Sequence, residues 1–195
     1  MALFRSTHDA LKFAYNFDGT NCTNVMIGVP PHGNGRGLGG LDGAAEAGNI
    51  KRIVHSLGND TEMIIVARFM PDRIICRCGR VCCKGWYASL GWKSALRYLA
   101  RTLSPVCFGG KGSEEYRMDV VAHWFRPDEM SIEEIVEKEE KLNPEKKVSR
   151  STAYEHFDAV RKFFHSTKKR KGAEQVVFDA VDNELQRLGI VGDEE

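Results

Sequence analysis

Four segments in the second half of the 195-residue sequence read as helices: Glu114 to Phe125, Ser131 to Leu142, Ser149 to His165 and Ala173 to Leu188. A chain so patterned must bury one stripe of each helix against another, which restricts it to a mainly α fold. Two of the segments announce their own beginnings. Ser131 sets a hydroxyl ahead of Ile132, and Glu134 follows at capping-box spacing, with Ile132, Ile135, Val136 and Leu142 as the apolar stripe. Ser149 is the natural N-cap of the next segment, in which Ala153, Phe157, Val160 and Phe164 recur at helical steps and are expected to pack inward.

With that stripe inward, Arg150, Ser151, Tyr154 and Glu155 face outward in the first two turns, where a recognition helix presents side chains to base edges in the major groove. Lys146 and Lys147 precede the helix and Lys168 to Lys171 follow it, so both ends are placed to meet phosphates. The overall charge of +1 hides this, because it is a sum of opposed blocks. Residues 73–101 carry seven basic residues and no acid, a net +7. Residues 146–171 carry nine basic residues against Glu155 and Asp158, again +7, while 131–145 is −4 and 172–195 is −6.

Taken with SIEEIV as first helix and VSRSTAYEHF as second, the segment resembles the helix-turn-helix of phage and bacterial transcription regulators, including the last region of sigma factors. The stretch between Val136 and Val148 is several residues longer than the usual helix and turn. The candidate DNA-contacting residues are Lys146, Lys147, Ser149, Arg150, Ser151, Thr152, Tyr154, Glu155 and His156; among these, Thr152 and His156 enter through the resemblance.

Upstream, Ser6 and Asp9 cap a short helix carrying Leu11, Phe13, Ala14 and Phe17, which Gly19 and Asn21 end. Residues 28–43 are so rich in glycine and proline that a loop is predicted, followed by a helix from Ala44 to Leu57 that stops at Gly58. Thr61 to Phe69 has the composition and length of a buried strand, although a helical turn also fits. Trp92, Ala95, Leu96, Leu99 and Leu103 fall at helical spacing. Ser104-Pro105 and Phe108 to Gly112 read as a linker, and a domain boundary is expected there. The expected organisation is therefore an N-terminal helical domain over 1–108, a linker over 109–113 and a helix-turn-helix domain over 114–195.

Cys76, Cys78, Cys82 and Cys83 lie within eight positions around Gly79. Crowding of this kind in a cytosolic chain points to metal before disulfide, and four thiolates suit a tetrahedral structural zinc. Adjacent Cys82 and Cys83 need not both reach one ion, and Cys107 or His123 is an alternative fourth ligand; redox chemistry and inert reduced thiols are the other readings.

Other chemistry finds less support. Gly35 to Gly40 matches G-x-G-x-x-G, but Val29-Pro30-Pro31 precedes it instead of a strand, so a loop is expected and not a dinucleotide turn. Asp72 and Glu114 are too far apart for a nuclease cluster, the six histidines show no paired ligand spacing and Cys22 has no adjacent base, so no enzyme is expected. The longest apolar run is Met63 to Ala67, short of a membrane span, and no secretion signal precedes Arg5 and His8; a cytoplasmic protein is expected.

FRSTHDALKFAYNF, GRGLGGLDGAAEAG, CRCGRVCCKGW and VSRSTAYEHF, in this order, resemble small DNA-binding proteins of bacteriophages, and the layout is similar to phage late antiterminators of the Q type. That resemblance implies double-stranded DNA and host RNA polymerase as partners, with binding near a late promoter through Arg150, Ser151, Thr152, Tyr154 and His156. The N-terminal and cysteine regions would then contact polymerase, nascent RNA or flanking DNA. A repressor or activator acting by DNA binding alone is the alternative reading, and a metal-dependent DNA-processing enzyme the more distant one.

Overall fold

A computed structural model of the chain describes residues 2–17, 40–76 and 84–192. The fold is mainly helical, and the chain divides into two compact units: residues 1–71 with 177–195, and residues 72–176. The 109–113 stretch, expected to be an interdomain linker, therefore falls inside the second unit, and the last helix is shared between the two.

In the first unit, α1 (Thr7–Asn16), α2 (Gly40–Ser56) and α3 (Asn59–Phe69) pack against one another. Ser6 caps α1 by accepting from the Asp9 amide, and Leu11 and Ala14 are fully buried. α2 begins at Gly40, four residues inside the stretch expected to be loop; the rest of that stretch, with Gly35 to Gly39, lies outside the described residues. Gly58, at φ 107°, lets the chain leave α2 and enter α3 directly.

The expected strand over Thr61 to Phe69 is α3 instead. Ile64, Ile65, Val66, Ala67 and Phe69 are all buried, so neither helical nor strand periodicity shows in the sequence of a segment covered this completely. The unit is closed by distant chain. Phe4 bridges in parallel to Val191, and the Thr7 hydroxyl donates to Asp182 in α8 (Ala173–Arg187). Val181, Leu185, Ile190 and Val191 complete the apolar interior.

The second unit opens with a two-stranded antiparallel hairpin that the sequence reading did not anticipate. β1 (Arg73–Ile75) pairs with β2 (Trp86–Ala88), Ile74 opposite Tyr87, and the Cys76 amide donates to Gly85 O at 2.8 Å. α4 (Leu90–Leu103), capped by Ser89, buries the expected Trp92, Ala95, Leu96, Leu99 and Leu103. One π-helical turn, Ser104–Phe108, buries Cys107 and Phe108 before the chain reaches α5 (Glu114–Phe125).

α5, α6 (Ile132–Leu142) and α7 (Arg150–Phe164) each pack on the other two. The capping box at α6 forms as expected, Ser131 accepting from the Glu134 amide while Glu134 accepts from Ser131. α6 and α7 are joined by the 3-10 turn Pro144–Lys146 and four further residues, Asn143, Lys147, Val148 and Ser149. The stripe of α6 differs from expectation in one place: Leu142 is 61% exposed, and Glu139 takes the inward position next to Ile132, Ile135 and Val136.

Candidate nucleic-acid interface

The outward face of α7 begins where its cap is set. Ser149 accepts from the Thr152 amide at 3.2 Å, fixing the first turn, and no acidic residue lies in that turn. Behind it, Ala153, Val160 and Phe164 are buried as expected, while Phe157 is half-buried with its ring against His123. Arg150, Ser151, Tyr154 and Glu155 are exposed, Ser149 is exposed and Thr152 is half-buried.

His156 does not belong to this face. It is buried, its Nδ1 is hydrogen-bonded to the Tyr116 hydroxyl at 3.0 Å, and its ring lies against Phe108. Burial holds its imidazole below the ordinary histidine pKa, so the neutral ring is favoured inside the fold. Its place in the helical stripe accounts for this: His156 stands three residues after Ala153 and four before Val160, so removing it from the exterior corrects the expected base-reading set.

Tyr154 is tied across the turn. Its hydroxyl donates to Glu133 Oε1 at 2.5 Å, linking the first turn of α6 to the outward face of α7. This hydrogen bond holds the Glu133 carboxyl below its usual range and pushes the Tyr154 phenol up. The two helices thus meet at their exposed ends through a polar contact as well as through the shared core.

Lys146 and Lys147 are exposed ahead of α7, and Lys147 Nζ is 2.8 Å from Glu140 on α6. Beyond α7, Lys168 and Lys169 form the tip of a tight turn that the Thr167 amide closes on Arg170 O at 2.8 Å. Asp158, the acid in the middle of α7, is neutralised locally by Arg161 at 2.5 Å and Lys162 at 2.6 Å.

Two further features hold this face in place, and one was readable in advance. Glu139 is 3% exposed and accepts from the Ser113 amide at 2.8 Å, the Ser113 hydroxyl at 2.6 Å and the Asn143 amide at 3.0 Å. It thereby locks the start of α5 to the end of α6; a glutamate on an apolar stripe is the signal that could have marked it. The other is Lys138, whose Nζ reaches Asp119 on α5 at 2.6 Å. Burial nevertheless raises the Asp119 carboxyl above its usual range.

Of the expected zinc ligands, Cys78, Cys82 and Cys83 lie outside the described residues. Cys76 stands at the mouth of the hairpin, opposite Gly85. Cys107 is buried and its thiol is pushed up by burial, and the His123 Nδ1 donates to Met130 O at 2.7 Å. Among the described residues no three His, Cys, Asp or Glu side chains are grouped to hold a metal ion, and no helix is long and apolar enough to cross a membrane. Comparison with protein-family models, with curated proteins and with solved structures found no match to the chain.

Proposed function

We propose that α5, α6 and α7 form a DNA-reading unit, with α7 as the recognition helix and the protein as a transcription regulator. The observation that carries this is the division of α7: Ala153, His156, Val160 and Phe164 inward, and Arg150, Ser151, Tyr154 and Glu155 outward in its first two turns, with lysines exposed before and after it. Arg and the polar side chains supply base-edge contacts, whereas the lysines supply orientation through phosphates. The capped first turn, free of acids, is the end of the helix that would enter the major groove.

The resemblance to Q-type antiterminators extends this reading to loading onto RNA polymerase near a late promoter. Zinc on Cys76, Cys78, Cys82 and Cys83 belongs to the same proposal. The support from the fold is that β1 and β2 hold Cys76 beside Gly85, so the two ends of the cysteine segment are brought together.

Selection from a random duplex pool, followed by affinity measurements on the selected and a scrambled duplex across a salt series, tests the DNA reading. A gap of on the order of a thousandfold that survives moderate salt is expected. Equal, steeply salt-sensitive affinities would leave only a basic surface. Retention of polymerase subunits by the DNA-bound protein separates an antiterminator from a regulator acting through DNA alone.

A further inference from the structure

A cleft of about 760 Å³ lies between the Gly110–Ser113 loop and the turn that leads into α7. Lys111 and Arg117 line it from the α5 side, and Lys146 and Lys147 from the α7 side, with Ser149 and Thr152 beside them. Its lining includes one carboxylate, Glu114, and that charge is already answered: Arg97 Nε and Arg101 Nε donate to it at 2.8 and 3.0 Å. Lys147 is paired with Glu140, but Lys111, Arg117 and Lys146 have no acidic partner among the described residues.

Arg117 is fixed before any ligand arrives. Its Nη1 donates to Gly112 O at 2.8 Å and to Lys111 O at 3.3 Å, so the guanidinium and the loop carrying Lys111 position each other. Gly112, at φ 73°, gives the loop its turn, and a Cβ there would meet the Tyr116 ring at 2.3 Å. The cleft therefore gathers cations from two separate stretches of chain, one side held by a pinned guanidinium and a glycine turn. A group that complements three cations without their own carboxylates is an oxyanion with several acceptor oxygens.

We infer that this cleft seats a phosphate of the nucleic-acid backbone, with Lys111 and Arg117 contacting it from one side and Lys146 from the other. The inference rests on the DNA reading assigned to α7, whose first turn contributes Ser149 and Thr152 to the same cleft. A phosphate seated here lies next to the turn carrying Arg150 and Ser151, so it fixes the register at which that face meets the bases. Lys111, in the loop ahead of α5, and Arg117, on α5, lie outside the α6–turn–α7 pair, so the DNA contact gains an element beyond those two helices.

The test uses the full chain carrying Lys111→Glu and, because Arg117 also supports the loop, separately Arg117→Lys. Affinities for a selected and an unrelated duplex are measured across a salt series. The glutamate variant is expected to weaken both duplexes alike, by about tenfold at low salt, to lower the salt slope by about one and to leave their ratio unchanged. Arg117→Lys, which keeps the charge, is expected to keep most of the slope.

An unchanged slope and affinity in the glutamate variant would overturn the assignment while leaving base reading by α7 intact. If the parent protein binds duplexes without discrimination, the reading assigned to α7 fails, and the cleft still stands or falls on the slope. If it binds no duplex, titration of inorganic phosphate against the amide resonances of Gly112, Ser113 and Ser149 decides. Saturable shifts lost in Lys111→Glu keep the phosphate chemistry and overturn its backbone source; no shifts overturn both.

Discussion

Tyr154 on α7 donates its hydroxyl to Glu133 on α6 at 2.5 Å, so a half-exposed side chain of the outward face of α7 is held by the helix that precedes it. Under the proposed function, contact with DNA would either keep this bond, with the ring edge facing the groove, or exchange it for a base acceptor. Replacing Arg150 and Tyr154 together by alanine is expected to narrow the affinity gap between selected and scrambled duplex by about a hundredfold, each contributing on the order of tenfold. Both side chains are exposed, so the melting temperature should stay within about 2 °C of the parent. Unchanged selectivity in this double variant would overturn the DNA reading of α7.

Glu139 is the buried carboxylate on which α5 and α6 converge. Glu139→Ala would leave the Ser113 amide and hydroxyl and the Asn143 amide without their acceptor, and is expected to cost about 3 kcal/mol of stability. Glu139→Gln keeps the volume but turns a second acceptor into a donor, so an intermediate loss should follow. Urea midpoints of the two variants check the order.

The buried His156 is expected to make the second unit sensitive to acid. Its pKa is lowered in the folded state, first by burial and then by the charge of Lys111, while the unfolded chain titrates near the ordinary 6.5. Below that value the unfolded state binds a proton that the folded state resists, so this contribution is complete above about pH 6.5 and is lost as the pH falls through the folded value. Urea midpoints at pH 7.5 and 5.5 should therefore differ, and His156→Gln, which does not titrate, should narrow the difference. An equal pH dependence in the variant would remove His156 as its source.

Gly112→Ala places a methyl group against a ring that cannot retreat, since Tyr116 is 1% exposed and packed edge-on to both Phe108 and His156. The backbone at φ 73° adds strain for any residue with a Cβ. A loss of about 2 kcal/mol is expected, read as a lower melting temperature. The same change at Gly110, also at positive φ but with open space around it, should cost less.

Metal content separates the cysteines. Purified protein is expected to carry about one zinc per chain, and chelation should lower its melting temperature. Cys82→Ser or Cys83→Ser should reduce the bound zinc. Cys107→Ala should not, because that thiol is buried in the π-helical turn and kept protonated by its surroundings.

What could be read from the sequence was local. The caps at Ser6, Ser131 and Ser149 follow from hydroxyl and carboxylate spacing within one turn, and the helices they start are present. The exposed set Arg150, Ser151, Tyr154 and Glu155 follows from the same periodicity. α3 escaped because a segment covered on every side has no polar face to reveal its period. β1 and β2 escaped because three-residue strands are shorter than any alternation that would identify them.

The remaining features depend on residues far apart in the chain. Glu139 meets Ser113 across 26 positions and His156 meets Tyr116 across 40, and neither pairing leaves a local mark beyond a polar residue on an apolar stripe. The cleft assembles Lys111, in the loop ahead of α5, and Lys146, in the turn ahead of α7, which no short window along the sequence contains.

Phe4 pairing with Val191, and Thr7 with Asp182, make the closing of the first unit depend on chain that lies beyond the second. Residues 72–176 hold every strand and helix of the second unit up to the first turn of α8, so that unit closes without the chain that follows Val176. The first 71 residues, though translated earlier, must wait for Val181, Leu185 and Ile190 before their interior is closed. The first unit therefore closes only once chain from both sides of the second is present, and a chain cut short after Val176 would keep a whole second unit but leave the first one open.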